Sequence, residues 1–287
     1  MKKILLLSFL CLLTYNGIAQ TKPLDSLYKL LKHTNKPDEQ FGILSIMEGY
    51  YRYAGELDSS RVIGKKMFKI ATDSHDELRQ SMACIFLGSC FNSSSDYKQS
   101  LEIEFKGLAL AQKTKDTATI WLATKEIGIN YKLLKNYPKA LEYLKKAEVL
   151  IKKTSTDKAF KGNRTYSHLA EVYLALGQKD AALKYIQLTN EVTLKENDTY
   201  GFARMLYIFA QVYKAKGDND LAESYYKKCI AFSNENAIVL PYVNATTDYG
   251  QYLLDTKQYN LSKQYALASY DKAKQSKNKL GAINAVA

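Results

Sequence analysis

Histidine, cysteine and closely spaced carboxylates supply most catalytic and metal sites, and in this 287-residue chain they are dispersed. His33, His75 and His168 lie far apart, with no HExxH pair and no cysteine placed to complete a ligand set. His75 falls in an inter-helix segment and His168 in mid-helix beside a packing position, so each reads as structural. Asp218-Asn219-Asp220 has the composition of a calcium loop but lacks the flanking ligands, and reads as a turn. Cys84 and Cys90 are six residues apart on one expected helix, about 9 Å along its axis, too far for a disulfide. With Cys229 they read as small core residues. No glycine-rich phosphate loop or nucleophile elbow occurs. The 23 tyrosines mostly recur at helix-packing spacing and read as inter-helix contacts with a polar tip outward. The expectation is a non-enzymatic chain with no metal and no cofactor.

The elements that would position side chains are clearer. Trp121 to Leu150 reads as two amphipathic helices broken at Lys135-Asn136-Tyr137, with Pro138 in the first turn of the second. Ile127, Gly128 and Tyr131 share a face of one helix; Ala140, Leu144 and Ala147 share a face of the other. Aligned on Gly128 as position 8, equivalent units begin at 41, 81, 121, 163, 203 and 243. Position 8 then reads Glu48, Gly88, Gly128, Ala170, Ala210 and Gly250, and position 11 reads Tyr51, Phe91, Tyr131, Tyr173, Tyr213 and Leu253. Position 20 is Ser60, Ser100, Ala140, Ala182, Ala222 and Ser262; position 27 is Met67, Gly107, Ala147, Thr189, Cys229 and Ser269. A large residue beside a small one lets two helices approach closely and still fill the gap. Turns at Gly55-Glu56-Leu57-Asp58, Gly177-Gln178-Lys179-Asp180 and Gly217-Asp218-Asn219-Asp220 combine a helix-stopping glycine with an aspartate suited to capping. Ser74-His75-Asp76-Glu77 reads as a capping box, and Asp116, Asp157 and Asn197-Asp198 as later helix starts.

A two-helix unit repeated about every 40 residues is the mark of a helical solenoid. The columns resemble the tetratricopeptide repeat: Leu-Gly-x-x-Phe at 87–91, Leu-Ala-x-x-Tyr at 169–173 and Phe-Ala-x-x-Tyr at 209–213 are close fits. The resemblance covers about 37 to 282, with units longer than the family's usual 34 residues. It implies an all-α, right-handed superhelix of six repeats near 41–80, 81–120, 121–162, 163–202, 203–242 and 243–282. The segment 20–36 would supply an N-terminal capping helix, and 283–287 the start of a seventh repeat. The resemblance also implies a concave groove lined by positions 2, 5, 9 and 12 of each first helix. On this chain those positions include Arg52, Asn92, Lys125, Lys132, Arg164, Arg204, Tyr207, Lys214 and Gln251, with Glu171 the single acidic residue among them. A basic groove would focus its field on an anionic segment and hold carboxylates through arginine. Position 9 is never asparagine, so the carboxylate clamp of the family's chaperone-binding members is not expected.

The N-terminus has the layout of a secretory signal peptide. Met1-Lys2-Lys3 is positive, Ile4 to Leu13 is apolar, and Gly17-Ile18-Ala19 precedes a cleavage point at Gln20. Export would place the protein in the periplasm or outside the cell. The formal charge of +12 would in a cytosolic protein suggest nucleic acid; export points instead to acidic peptides, anionic glycans or a membrane surface, and the groove to a peptide or protein partner. No later apolar run is long enough to span a membrane. Two alternatives remain on the sequence. One is the sensor segment of a larger membrane-bound regulator, a histidine kinase or helix-turn-helix protein continuing past Ala287. The other is a glycan-binding or enzyme-accessory protein.

Overall fold

A computed structural model describes residues 21–53, 56–153, 158–193 and 198–275. The signal segment, Gly55, Asp157, Asn197 and residues 276–287, including the expected seventh repeat, lie outside them. The described residues form thirteen helices and no strand. They are α1 (Thr21–His33), α2 (Pro37–Tyr53), α3 (Leu57–Asp73), α4 (Glu77–Ser93), α5 (Tyr97–Thr114), α6 (Thr117–Leu133) and α7 (Tyr137–Lys153). The series continues with α8 (Lys158–Ala175), α9 (Lys179–Thr193), α10 (Thr199–Lys216), α11 (Asn219–Glu235), α12 (Val239–Asp255) and α13 (Tyr259–Gln275).

Each helix packs on the next in sequence, and each first helix of a pair also meets the first helix of the following pair: α2 on α4, then α6, α8, α10 and α12. The second helices stay further apart and are bridged by long side chains, such as Lys145 Nζ to the Tyr185 hydroxyl at 2.7 Å. Helices that crowd together on one side and spread on the other curve the stack, so the first helices line the inner face.

Sequence chemistry explains the joints. Asp76, Asp96, Asp116, Asp198 and Asp218 are N-caps whose carboxylates accept the backbone N–H three residues on. The box expected at Ser74 is not formed. Ser74 closes α3, its hydroxyl donating back to the Ile70 carbonyl at 2.9 Å, and Asp76 takes over as the cap of α4. A residue in the left-handed region recurs at both joints of a unit. Ser95, Lys135, Gly177, Gly217 and Lys257 occupy it inside units, and His75, Lys115 and Ala237 between them.

Packing follows the small-large columns. A Cβ on Gly128 would stand 2.8 Å from Leu144 Cγ, so that glycine is required by the close approach of α6 and α7. The expected tyrosine packing recurs as stacked pairs between positions 11 and 23: Tyr131 on Tyr143 at 5.6 Å, Tyr173 on Tyr185 at 5.2 Å and Tyr213 on Tyr225 at 5.5 Å. The largest buried apolar cluster runs from Ala140 to Leu253, and a second from Leu27 to Ala83. Between them, the interior around α4–α6 is partly polar. Glu104 occupies the slot against Gly88 that Leu144 fills against Gly128, and both Glu104 and Leu144 are fully buried.

Candidate functional site on the inner face

The first helices carry the groove positions, and the structure joins them by a row of polar contacts from one repeat to the next. Asn92 of α4 donates to Asn130 Oδ1 of α6 at 3.0 Å. Asn130 Nδ2 in turn reaches inward, to Ser100 Oγ at 2.8 Å and Glu104 Oε2 at 2.6 Å. Burial holds the Glu104 carboxyl well above the usual carboxylate range, and the Glu126 charge adds to that. Its neutral form fits the hydrogen bonds. Ser100 spends its hydroxyl proton on the Gly88 carbonyl at 2.7 Å, and the 3.3 Å contact between Ser100 Oγ and Glu104 Oε1 then suits a protonated carboxyl.

The densest cluster joins three repeats. Glu171 of α8 accepts from Lys132 of α6, and its Oε1 lies 2.7 Å from Arg204 Nη2 of α10. His168, one turn before Glu171, presents Nδ1 to Arg204 Nη2 at 2.9 Å and to Lys132 Nζ at 3.2 Å. A guanidinium can only donate, so Nδ1 accepts and the ring proton sits on Nε2. Burial, then the Arg204 and Lys132 charges, hold the His168 imidazole well below its ordinary pKa. Burial alone would raise Glu171, but Arg204 and Lys132 outweigh it and hold the carboxylate well below its usual range. Lys132 is lowered by burial and by Arg204, against the pull of Glu171. Two cations therefore share one carboxylate beside a neutral imidazole. These side chains remain about one-fifth exposed, with Lys132 at 17% and Arg204 at 18%.

Beyond Arg204 the sign of the face changes. Tyr207 donates to Asp248 Oδ2 of α12 at 2.8 Å, and Gln211 Nε2 reaches the Tyr207 oxygen at 2.8 Å and Asp248 at 3.3 Å. Burial and Asp248 push the Tyr207 hydroxyl far up, so it stays a donor.

The remaining groove positions have varied surroundings. Arg52 pairs with the buried Glu48 at 3.0 Å, whose Oε1 also accepts from Ser60 at 3.0 Å. Gln251 donates to Asp255 of its own helix. Arg164 is half-buried on α8, and Lys214 is half-buried on α10. Lys125, expected to face the groove, is only 3% exposed. Its ammonium sits 2.7 Å from Glu126 and 5.1 Å from the Trp121 ring centre, contacts that stand in for water. The expected six-to-one cationic bias is also offset. Glu48 at position 8 and Glu126 and Asp248 at position 6 lie on the same first helices, outside the four positions counted. His168 is likewise part of the central cluster rather than a bystander. Position 6 is one turn after position 2, which is the signal that could have exposed Glu126 and Asp248.

Conventional reactive centres do not appear among the described residues. Cys84 and Cys90 are buried and their thiols are pushed up to about 11; burial pushes Cys229 to about 12. Such thiols are poor nucleophiles at neutral pH. Among the described residues no three His, Cys, Asp or Glu side chains are grouped to hold a metal. No helix there is long and apolar enough to cross a membrane.

The fold and inner face define an α-helical solenoid scaffold of the protein-interaction type. The Tetratricopeptide repeat family profile matches residues 164–188 and 203–236. Tetratricopeptide repeat protein 29 of Macaca fascicularis is 26% identical over 157 residues, covering 52% of this chain. The chain matches about a third of that relative's length, 33%. Among solved structures, the apo form of RapI superposes with a TM-score of 0.71 at 17% identity, over 90% of this chain and 94% of that one. A Rap protein complexed with Competence and Sporulation Factor gives 0.71 at 14%, over 86% and 67%. The apo quorum sensor NprR from B. thuringiensis gives 0.60 at 12%, over 93% and 79%. At these identities the likeness is one of fold.

Proposed function

We propose that this solenoid is an exported, non-enzymatic scaffold that holds a peptide or protein partner along its inner face. The observation that carries the reading is the row of fixed polar groups across α4, α6, α8, α10 and α12. Such groups are positioned before a ligand arrives, so little ordering cost falls on the receptor. The fold shared with a Rap protein complexed with a named factor supports the same reading. Export rests on Lys2-Lys3, the apolar run Ile4 to Leu13 and Ala19. The non-enzymatic part is supported by the buried, high-pKa thiols and the dispersed histidines.

Site-specific photo-crosslinking tests where a partner sits. A benzophenone side chain at Asn92 or Lys214, on the inner face, should capture partners from the exported fraction. The same group at Val62 or Leu267, exposed on second helices, should not. Equal labelling from both sets would remove the groove reading. N-terminal sequencing of the mature protein checks export, with Gln20 as the expected first residue.

A second reading is favoured by the fold shared with the quorum sensor NprR: the solenoid is the sensor segment of a larger signalling protein. The same crosslinks would then find a small diffusible peptide rather than a resident protein.

A further inference from the structure

Within the inner face, two opposite charges are left without a full counter-charge among the described residues, and Arg204 and Asp248, which carry them, lie on the neighbouring first helices α10 and α12. The positive one belongs to Lys132 and Arg204, whose one salt-bridge partner among the described residues is Glu171, while His168 is neutral and Glu126, whose charge also reaches Lys132, is paired with Lys125. The negative one is Asp248, whose hydrogen-bond donors Tyr207 and Gln211 are both neutral. Asp248 forms no salt bridge among the described residues and is half-buried, as are Lys132 and Arg204. Arg204 and Tyr207 are three residues apart on α10, hence on one side of that helix. The tyrosine therefore separates the two poles.

Resting on the reading of this face as a peptide groove, we propose that α6, α8, α10 and α12 form a two-pole site for an extended peptide carrying one acidic and one basic side chain. The acidic side chain meets Arg204 and Lys132, adding the second carboxylate that the pair lacks. The basic side chain meets Asp248, whose other oxygen Oδ1 remains for it. Packed helices are about 8–10 Å apart and an extended chain covers about 3.3–3.6 Å per residue. Those dimensions put the two side chains about two or three residues apart. A purely acidic peptide satisfies one pole and is repelled by the other. The ligand is thus selected by charge order, not by net charge.

The test uses fluorescent heptapeptide pools, random except at two positions three residues apart, with binding read by anisotropy. The fixed pairs are Asp and Lys in either order, two Asp, two Lys, or two Asn. One Asp–Lys order should bind about tenfold more tightly than the other pools. Asp248→Asn keeps the Tyr207 and Gln211 hydrogen bonds and should reduce that pool to the level of two Asp or below. Arg204→Gln leaves Lys132 balanced by Glu171 and should abolish the acidic preference. Lys132→Gln is the second variant of that arm, should Arg204→Gln fold poorly. Equal binding of the two-Asp pool, or an unchanged preference in Asp248→Asn, overturns the two-pole site while the groove stands. Failure of every pool to bind overturns the peptide-groove reading with it.

Discussion

At the scale of single residues, the buried Glu104 and the half-buried Glu171 respond to pH in opposite directions. Glu104 binds its proton more tightly folded than unfolded, so its contribution is complete below the ordinary carboxylate pKa. That contribution is lost as pH rises from about 4.3, by at most about 1.4 kcal/mol per unit. In Glu104→Gln this downward slope should vanish, and urea midpoints across pH 4–8 will show it. Glu171 is depressed, so its contribution is present above that same pKa and lost as pH falls below it. His168 is also depressed: its unfolded form takes a proton below about 6.5 while the folded form does not, and stability drops as pH falls through that range. Once Glu104 is replaced, midpoints should therefore rise between pH 5 and 7.

The Lys132–Glu171–Arg204 cluster is asymmetric. Glu171→Gln leaves two cations facing each other in a largely desolvated place and should cost on the order of 3 kcal/mol. Arg204→Gln leaves a balanced pair and should cost less. Combining Glu171→Gln with Lys132→Met should recover part of the first loss, which a double-mutant cycle in urea will measure. A cost of Glu171→Gln no larger than that of Arg204→Gln would contradict the shared-carboxylate arrangement.

At the scale of elements, the joints and the packing columns make opposite demands on glycine. Lys135 holds φ at +58° between α6 and α7, a conformation that disfavours side chains. Lys135→Gly should stabilise by about 0.5–1 kcal/mol. Gly128→Ala, only a few residues earlier, drives a methyl into Leu144 and should destabilise by about 1–3 kcal/mol. Thermal melts of the two variants should move in opposite directions.

At the scale of the whole molecule, a solenoid is held together by neighbour contacts, so its stability varies along its length. From α8 to α12 the interior is a continuous apolar cluster. From α2 to α6 it is interrupted by Glu48 with Ser60 and Cys90, and by Glu104 with Ser100 and Asn130. Native-state hydrogen exchange should open α4 and α5 at lower free energy than α10 and α11. Equal protection would show that these polar layers hold as firmly as the apolar ones.

The repeat, the two-helix unit and the small-large columns were legible in the residues, because helix packing is governed by size and by a spacing of three or four along the chain. Gly128, Tyr131, Ala140 and Ala147 announce their roles through periodicity alone. Groove membership was legible only as a position number. Whether a charge at that position is available depends on what the neighbouring repeat brings to it, about 40 residues away. Lys125 is sealed by Glu126 and Trp121, Lys132 and Arg204 divide one carboxylate, and His168 becomes their acceptor. Desolvation and charge pairing act through space, and they were decided only when the repeats stacked.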